Sequence, residues 1–155
     1  MPTEPLAGIR ILDLSRVLAG PAATMLLADQ GADVIKVEPP EGDITRQMGV
    51  GGDGMTSFFF NINRGKRGIA LDLKSPQGLE VVQRLIKNAD VLVQNFRPGA
   101  MDRLGLGLDA VRAINPAIIY ASISGFGKSG PYAPSTCLRS RDPGIVRHHR
   151  YSGGR

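Results

Sequence analysis

The chain has 155 residues, with 19 Lys and Arg against 14 Asp and Glu, one cysteine and two histidines, and a formal charge of +5. That length accommodates one domain with a real core. A single cysteine excludes an intramolecular disulfide framework, and no run approaches the ~20 apolar residues of a membrane-spanning helix. The charge is unevenly placed: residues 134–155 hold Arg139, Arg141, Arg147, Arg150 and Arg155 against Asp142 alone, together with Cys137, His148 and His149. The body before them is nearly balanced. The basic excess is therefore not a stripe on a folded face, and neither nucleic acid nor membrane is expected as a partner. The start, Met1-Pro2-Thr3-Glu4-Pro5, lacks the basic and apolar regions of a signal peptide, so a cytoplasmic location is expected.

In chain order, residues 9–14 read as a short strand, and the turn 15–21 leads into a helix over 22–28. Residues 33–38 form the next strand, ended by Pro39-Pro40 because proline cannot continue a ladder. A polar, glycine-rich stretch follows over 41–54. Residues 67–73 read as a third strand. Ser75-Pro76 is an N-cap with proline at the first helical position, and Leu79, Val82, Leu85 and Ile86 then fall on one helix face. A fourth strand covers 90–96 and is broken by Arg97-Pro98-Gly99. Two short helical pieces follow at 101–104 and 108–114, and a fifth strand covers 117–124. Strands alternating with helices imply right-handed βαβ units. The expected fold is α/β: a Rossmann-like, open, mostly parallel sheet with helices on both faces. Ligands of such sheets bind beyond the carboxyl ends of the strands.

Those ends offer small residues, a helix N-terminus after Pro21, and the cations Arg16, Lys74, Arg97 and Arg103, a set suited to phosphate groups. Gly125-Phe126-Gly127-Lys128-Ser129-Gly130 lacks the spacing of a Walker loop and reads as a backbone turn. Nor is the first strand followed by Gly-x-Gly-x-x-Gly. The body has no histidine or cysteine, which removes metal sites built on those ligands, cysteine nucleophiles and histidine bases. Among its carboxylates, Asp13 and Asp72 read as structural, whereas Glu38 and Asp43 border an open loop.

Five blocks taken in order carry a resemblance: residues 5–21, 31–38, Asn61-x-Asn63-Arg64-Gly65-Lys66-Arg67, Asn95-Phe96-Arg97-Pro98-Gly99 and Gly125-Phe126-Gly127-x-x-Gly130-Pro131-Tyr132. Together they closely resemble the amino-terminal part of the family III CoA-transferases, the CaiB/BaiF group, which is related to α-methylacyl-CoA racemase. The resemblance implies an α/β domain that takes coenzyme A or acyl-CoA as substrate, with no tightly bound cofactor, and whose two chains thread through each other as an interlocked homodimer. It places CoA contacts on Val17, Ala19, Leu71, Lys74, Asn95, Phe96, Arg103 and Leu104. Some members have an arginine where this chain has Pro39, so contacts to the adenine nucleotide are expected to differ. It further implies CoA transfer between carboxylic acids by an aspartate nucleophile in a Gly-Asp motif beyond Arg155, and hence no catalytic residue within this chain. A racemase-type fragment and a standalone CoA- or nucleotide-binding module are the alternatives.

The resemblance stops at Ala133. Residues 1–133 are thus expected to be an incomplete CoA-binding domain, and 134–155 a disordered, non-family basic tail. Codons permitted by residues 136–155, read one nucleotide later, spell Pro-Ala-Tyr-Asp-Pro-Val-Ile-Gln-Ala-Ser-Ser-Ala-Ile-Thr-Gly-Ile-Gln-Ala-Asp, a family-like continuation. The tail is therefore read as a one-nucleotide frameshift just before Cys137. Sequencing the gene across codons 130–140 checks this: an alternative frame encoding Tyr-Asp-Pro-Val-Ile-Gln is the expected result, and its absence refutes the frameshift.

Overall fold

A computed structural model of the chain describes residues 4–53 and 55–133; the basic tail over 134–155 lies outside the described residues. Five parallel strands form the main sheet: β1 (Arg10–Asp13), β2 (Asp33–Glu38), β5 (Arg67–Ala70), β6 (Val91–Gln94) and β7 (Ile119–Ser122). Two short strands, β3 (Gly51–Gly52) and β4 (Met55–Thr56), pair antiparallel outside it. The helices are α1 (Ala19–Ala28), α2 (Ser57–Asn63), α3 (Pro76–Lys87), α4 (Ala100–Arg103) and α5 (Leu108–Ile114), with a 3-10 turn at Ile44–Gln47.

The strand order is β5-β2-β1-β6-β7, so the chain builds outward from β1 in one direction and then crosses back through α3 to build in the other. This is the order of doubly wound sheets, whose crevice opens where the direction reverses. That switch point lies between β1 and β6, paired at Ile11 with Val91, Leu12 with Leu92 and Asp13 with Val93.

Alternation along the strands assigns each residue to a face. Leu12, Leu14, Val37 and Leu92 pack with Val82 and Ile86 of α3, Met101 of α4 and Val111 of α5 in the larger core cluster. Ile11, Val34 and Val93 point the other way, against Leu27 and Ala28 of α1. Both faces are thus covered, as the sequence leads one to expect. On the α1 face the apolar pattern ends abruptly: Asp13, Lys36 and Glu38 occupy its carboxyl half, all three buried.

Several boundaries differ from the sequence reading. α1 begins at Ala19, three residues before its expected start, because Leu18 O accepts the Ala22 N–H at 2.8 Å. Pro21 sits inside the first turn, where the N–H it lacks has no intrahelical partner to lose. β5 stops at Ala70 rather than at residue 73, β6 at Gln94 rather than 96, and β7 is confined to Ile119–Ser122. α2 has no counterpart in the sequence reading; Thr56 caps it by accepting the Phe59 N–H at 3.1 Å.

α3 forms as anticipated. Ser75 accepts the Gly78 N–H at 3.0 Å, Pro76 starts the helix, and Arg84 and Lys87 close its last turn. Ile86 of this helix is completely buried, whereas Leu26 of α1 is 56% exposed. Replacing Ile86 by alanine is expected to cost ~2–5 kcal/mol, and Leu26→Ala less than ~0.5 kcal/mol, in urea denaturation of the chain. Equal losses would contradict the packing.

Candidate functional site

The carboxyl edge of the sheet is built on buried charge. Asp13 ends β1 fully buried and accepts hydrogen bonds from the Ser15 N–H at 2.9 Å, the Ser15 hydroxyl, and the Thr24 hydroxyl at 2.6 Å. Its counter-charge comes from Lys66, whose Nζ lies 3.0 Å from Asp13 Oδ2 and also donates to Pro21 O and Asn63 Oδ1. Burial pulls the Lys66 ammonium below the ordinary lysine range, against the opposing charge and hydrogen bond of Asp13. The expectation that Asp13 is structural matches this set of partners.

A second buried pair lies beside the first. Lys36 of β2 donates to Asp43 Oδ2 at 3.1 Å and to the Ser15 carbonyl at 3.0 Å. Asp43 also accepts the Thr45 N–H at 3.0 Å and hydroxyl at 2.9 Å, which caps the 3-10 turn. Its own N–H donates to Glu38 Oε2 at 2.8 Å, and Glu38 is gripped by Arg46 through Nε and Nη2, each at 2.7 Å. The Arg46 guanidinium stacks 3.7 Å from the Phe59 ring centroid. Glu38 and Asp43, which the sequence places at the border of an open loop, are therefore enclosed: their relative exposures are 6% and 2%. The loop folds back because each carboxylate finds a cation and backbone N–H donors there.

These pairs support the loop between β1 and α1. Arg16 donates its N–H to Asn95 Oδ1 at 2.8 Å and accepts from Asn95 Nδ2 at 2.7 Å, so Asn95 ties the loop to the end of β6 across the switch point. The exposed Arg16 guanidinium sits 5.1 Å from the Phe96 ring centroid. Gly20 is fixed by close approach, since a Cβ there would overlap the Ser15 side chain. α1 then starts at Ala19 with no side-chain cap and no acidic residue in its first turn. Pro21 has no N–H and Ala22 donates to Leu18, so the amides of Ala19 and Gly20 are the ones left in the first turn to meet an anionic group together with Arg16.

The sequence-derived contact residues fall into three groups. Val17, Ala19, Asn95 and Phe96 gather at the switch point, with Ala19 exposed and Val17, Asn95 and Phe96 half-buried. Leu71 and Lys74 follow β5, beyond β2; Leu71 packs on the larger core cluster while Lys74 is exposed. Arg103 and Leu104 end α4. Arg103 folds over Gly99, which takes a positive φ of 75° as the N-cap, and Leu104 packs on the core as does Phe96. Residues 125–130 form the bends expected of a turn, with Lys128 5.6 Å from the Tyr120 ring centroid. Sequence reasoning missed Lys36, Lys66 and Thr24. The one visible signal for Lys36 was a charge set among apolar residues in Asp33-Val34-Ile35-Lys36-Val37-Glu38.

The model of CoA-transferase family III matches residues 6–139. The chain belongs to this family. Succinate–glutarate CoA-transferase of Agrobacterium fabrum is 49% identical over 137 residues, covering 83% of this chain and 34% of that protein. Formyl-CoA:oxalate CoA-transferase of Streptomyces coelicolor is 51% identical over 133 residues, covering 85% and 32% respectively. Among solved structures, a CaiB/BaiF family protein from Brucella suis superposes with a TM-score of 0.82 at 46% identity, over 86% of this chain and 37% of that one. This family III chain spans about a third of the length of the curated relatives it matches.

Burial by itself raises both carboxyls of the second pair. For Glu38 this is outweighed by the Arg46 hydrogen bonds, the Asp43 N–H and the charges of Arg46 and Lys36, and for Asp43 by its Thr45 and Lys36 partners, so both sit below their ordinary values of 4.5 and 3.8. Groups depressed in the folded state contribute stability above their unfolded values and lose it as pH falls through the folded ones. Urea midpoints are thus expected to hold between pH 7 and about 5 and to fall below about 4, with the fall shallower in Glu38→Gln. Lys36→Met, which strands Asp43, is expected to cost ~3–5 kcal/mol at pH 7. The exposed Arg67–Asp33 pair is worth under ~1 kcal/mol, so a similar cost for Arg67→Met would contradict this account.

Proposed function

We propose that this chain is the amino-terminal, CoA-binding portion of a CoA-transferase that moves CoA between carboxylic acids. The observation that carries the reading is the loop at the switch point, where the uncapped first turn of α1 lies beside the exposed Arg16 guanidinium in a family III chain. CoA offers phosphates for both features and a planar adenine ring whose face suits the Arg16–Phe96 side of the crevice. On this reading Val17, Ala19, Asn95 and Phe96 line the nucleotide site. Leu71, Lys74, Arg103 and Leu104 extend it along the carboxyl edge. CoA and acyl-CoA are substrates rather than resident cofactors.

The chemistry assigned to this chain is binding and orientation. The loop backbone holds the phosphates and so places the thioester. The nucleophile that attacks the thioester carbonyl is an aspartate supplied by sequence other than residues 1–155, and acyl transfer by the chain alone is not expected. The interlocked homodimer belongs to the same proposal. Its support is the set of exposed apolar side chains Leu18, Ile44, Met48, Val50, Met55 and Phe60, which a second chain would cover. A cytoplasmic setting goes with it; no helix among the described residues is long and apolar enough to cross a membrane.

Isothermal titration of the chain with CoA tests the reading. Saturable 1:1 binding is expected, with Arg16→Glu weakening it about tenfold or more, the equivalent of ~1.4 kcal/mol. A folded chain that gives no heat of binding with CoA, or an Arg16→Glu variant that binds as tightly, contradicts it.

A further inference from the structure

Val17 is the unusual residue of the site. Its φ is +67°, a left-handed conformation that a β-branched side chain adopts only under constraint. Such a residue persists only where its surroundings over-determine it. Here the surroundings are side chains, not a strand ladder or a helix. From Ser15 to Val17 five successive backbone polar groups are each held by a side chain: Ser15 N–H by Asp13, Ser15 C=O by Lys36, Arg16 N–H and C=O by Asn95, and Val17 N–H by Asp43 at 3.2 Å to Oδ2 and 3.4 Å to Oδ1.

The two members of one buried ion pair thus grip the loop on either side of Arg16. Lys36 takes the carbonyl before it and Asp43 the amide after it. Asp43 is itself immobilised, by Thr45 on its carboxylate and by Glu38 on its N–H, with Arg46 locking Glu38 in turn. A loop free to relax would return Val17 to negative φ, and the amides that follow, at the start of α1, would turn with it.

We infer that Asp43, backed by Lys36, is a positioning residue for CoA: it acts through Val17, holding the strained turn that aims the first amides of α1 at the ligand. This rests on the CoA-binding reading above and adds to it two residues that act through the loop backbone from well beyond it in the chain. Loss of the tether then weakens binding by releasing Val17, and a residue that takes positive φ without strain relieves the dependence.

The test is a double-mutant cycle on the full chain between Asp43→Asn and Val17→Gly, read by CoA titration and by urea denaturation. Asp43→Asn is expected to raise the CoA Kd about tenfold when residue 17 is valine and less than about threefold when it is glycine, each double or single variant being measured against its own parent. Equal fold-losses from Asp43→Asn with and without the Val17→Gly substitution would overturn the inference, as would an unchanged Kd in folded Asp43→Asn. Should Asp43→Asn fail to fold, Val17→Pro serves instead. It removes the tethered N–H and fixes a negative φ, and is expected to lose CoA binding with an unchanged circular dichroism spectrum; retained binding would overturn the inference. If the unaltered chain binds no CoA, the CoA reading falls separately, and the tether is judged by the urea midpoints: non-additive changes sustain it and additive ones overturn it.

Discussion

Two lysine–carboxylate pairs, Lys66 with Asp13 and Lys36 with Asp43, lie almost wholly out of water on the α1 face of the sheet, and the loop joining β1 to α1 rests on both. Burying one unpaired charge would cost several kcal/mol, so the four groups must be assembled together or not at all. Their added hydrogen bonds satisfy the remaining donors and acceptors, and among the described residues no buried side-chain N or O atom lacks a partner. What this arrangement provides is less net stability than a unique geometry for five backbone groups that secondary structure does not hold.

The same pairs explain how distant parts of the chain meet. Asp13 belongs to β1, Lys66 to the segment just before β5, Lys36 to β2 and Asp43 to the loop after it. Alternation along β1 and β2 sets Asp13 and Lys36 on the same face, and Lys66 and Asp43 reach them there from outside the strands. The apolar half of that face, Ile11, Val34 and Val93, is ordinary core; the charged half turns the edge into a rigid floor under the switch point. Asn95 completes the enclosure from the end of β6, so the crevice walls are joined by paired hydrogen bonds rather than by packing alone.

Much of this fold was legible because its signals are local. Val82 and Ile86 repeat at helical spacing and Ser75-Pro76 announces the start of their helix; the mostly apolar strands are bounded by glycine and proline. Strand ends were overextended because apolar residues continue past the last ladder pair: Leu71 still donates to Glu38 O at 2.8 Å, but the chain then turns into the cap of α3. α2 escaped notice since Ser57-Phe58-Phe59-Phe60-Asn61-Ile62-Asn63 has no 3.6-residue alternation, and only its cap, Thr56, marks it. In the site, Arg16, Asn95 and Phe96 were visible as residues at strand ends. The pairing of Asp13 with Lys66, 53 residues apart, and of Asp43 with Val17, 26 apart, depends on topology and leaves no trace in local pattern.

On the CoA-binding proposal, the ligand's phosphates sit on the ion-paired loop at the β1/β6 switch point. Amide chemical-shift mapping of the isotope-labelled chain during CoA addition tests it most directly. The largest perturbations are expected at residues 16–20 and at Asn95 and Phe96. Shifts centred instead on Arg10, Asp33 and Asn88, around the ~270 Å³ cleft at the opposite end of the strands, would contradict it.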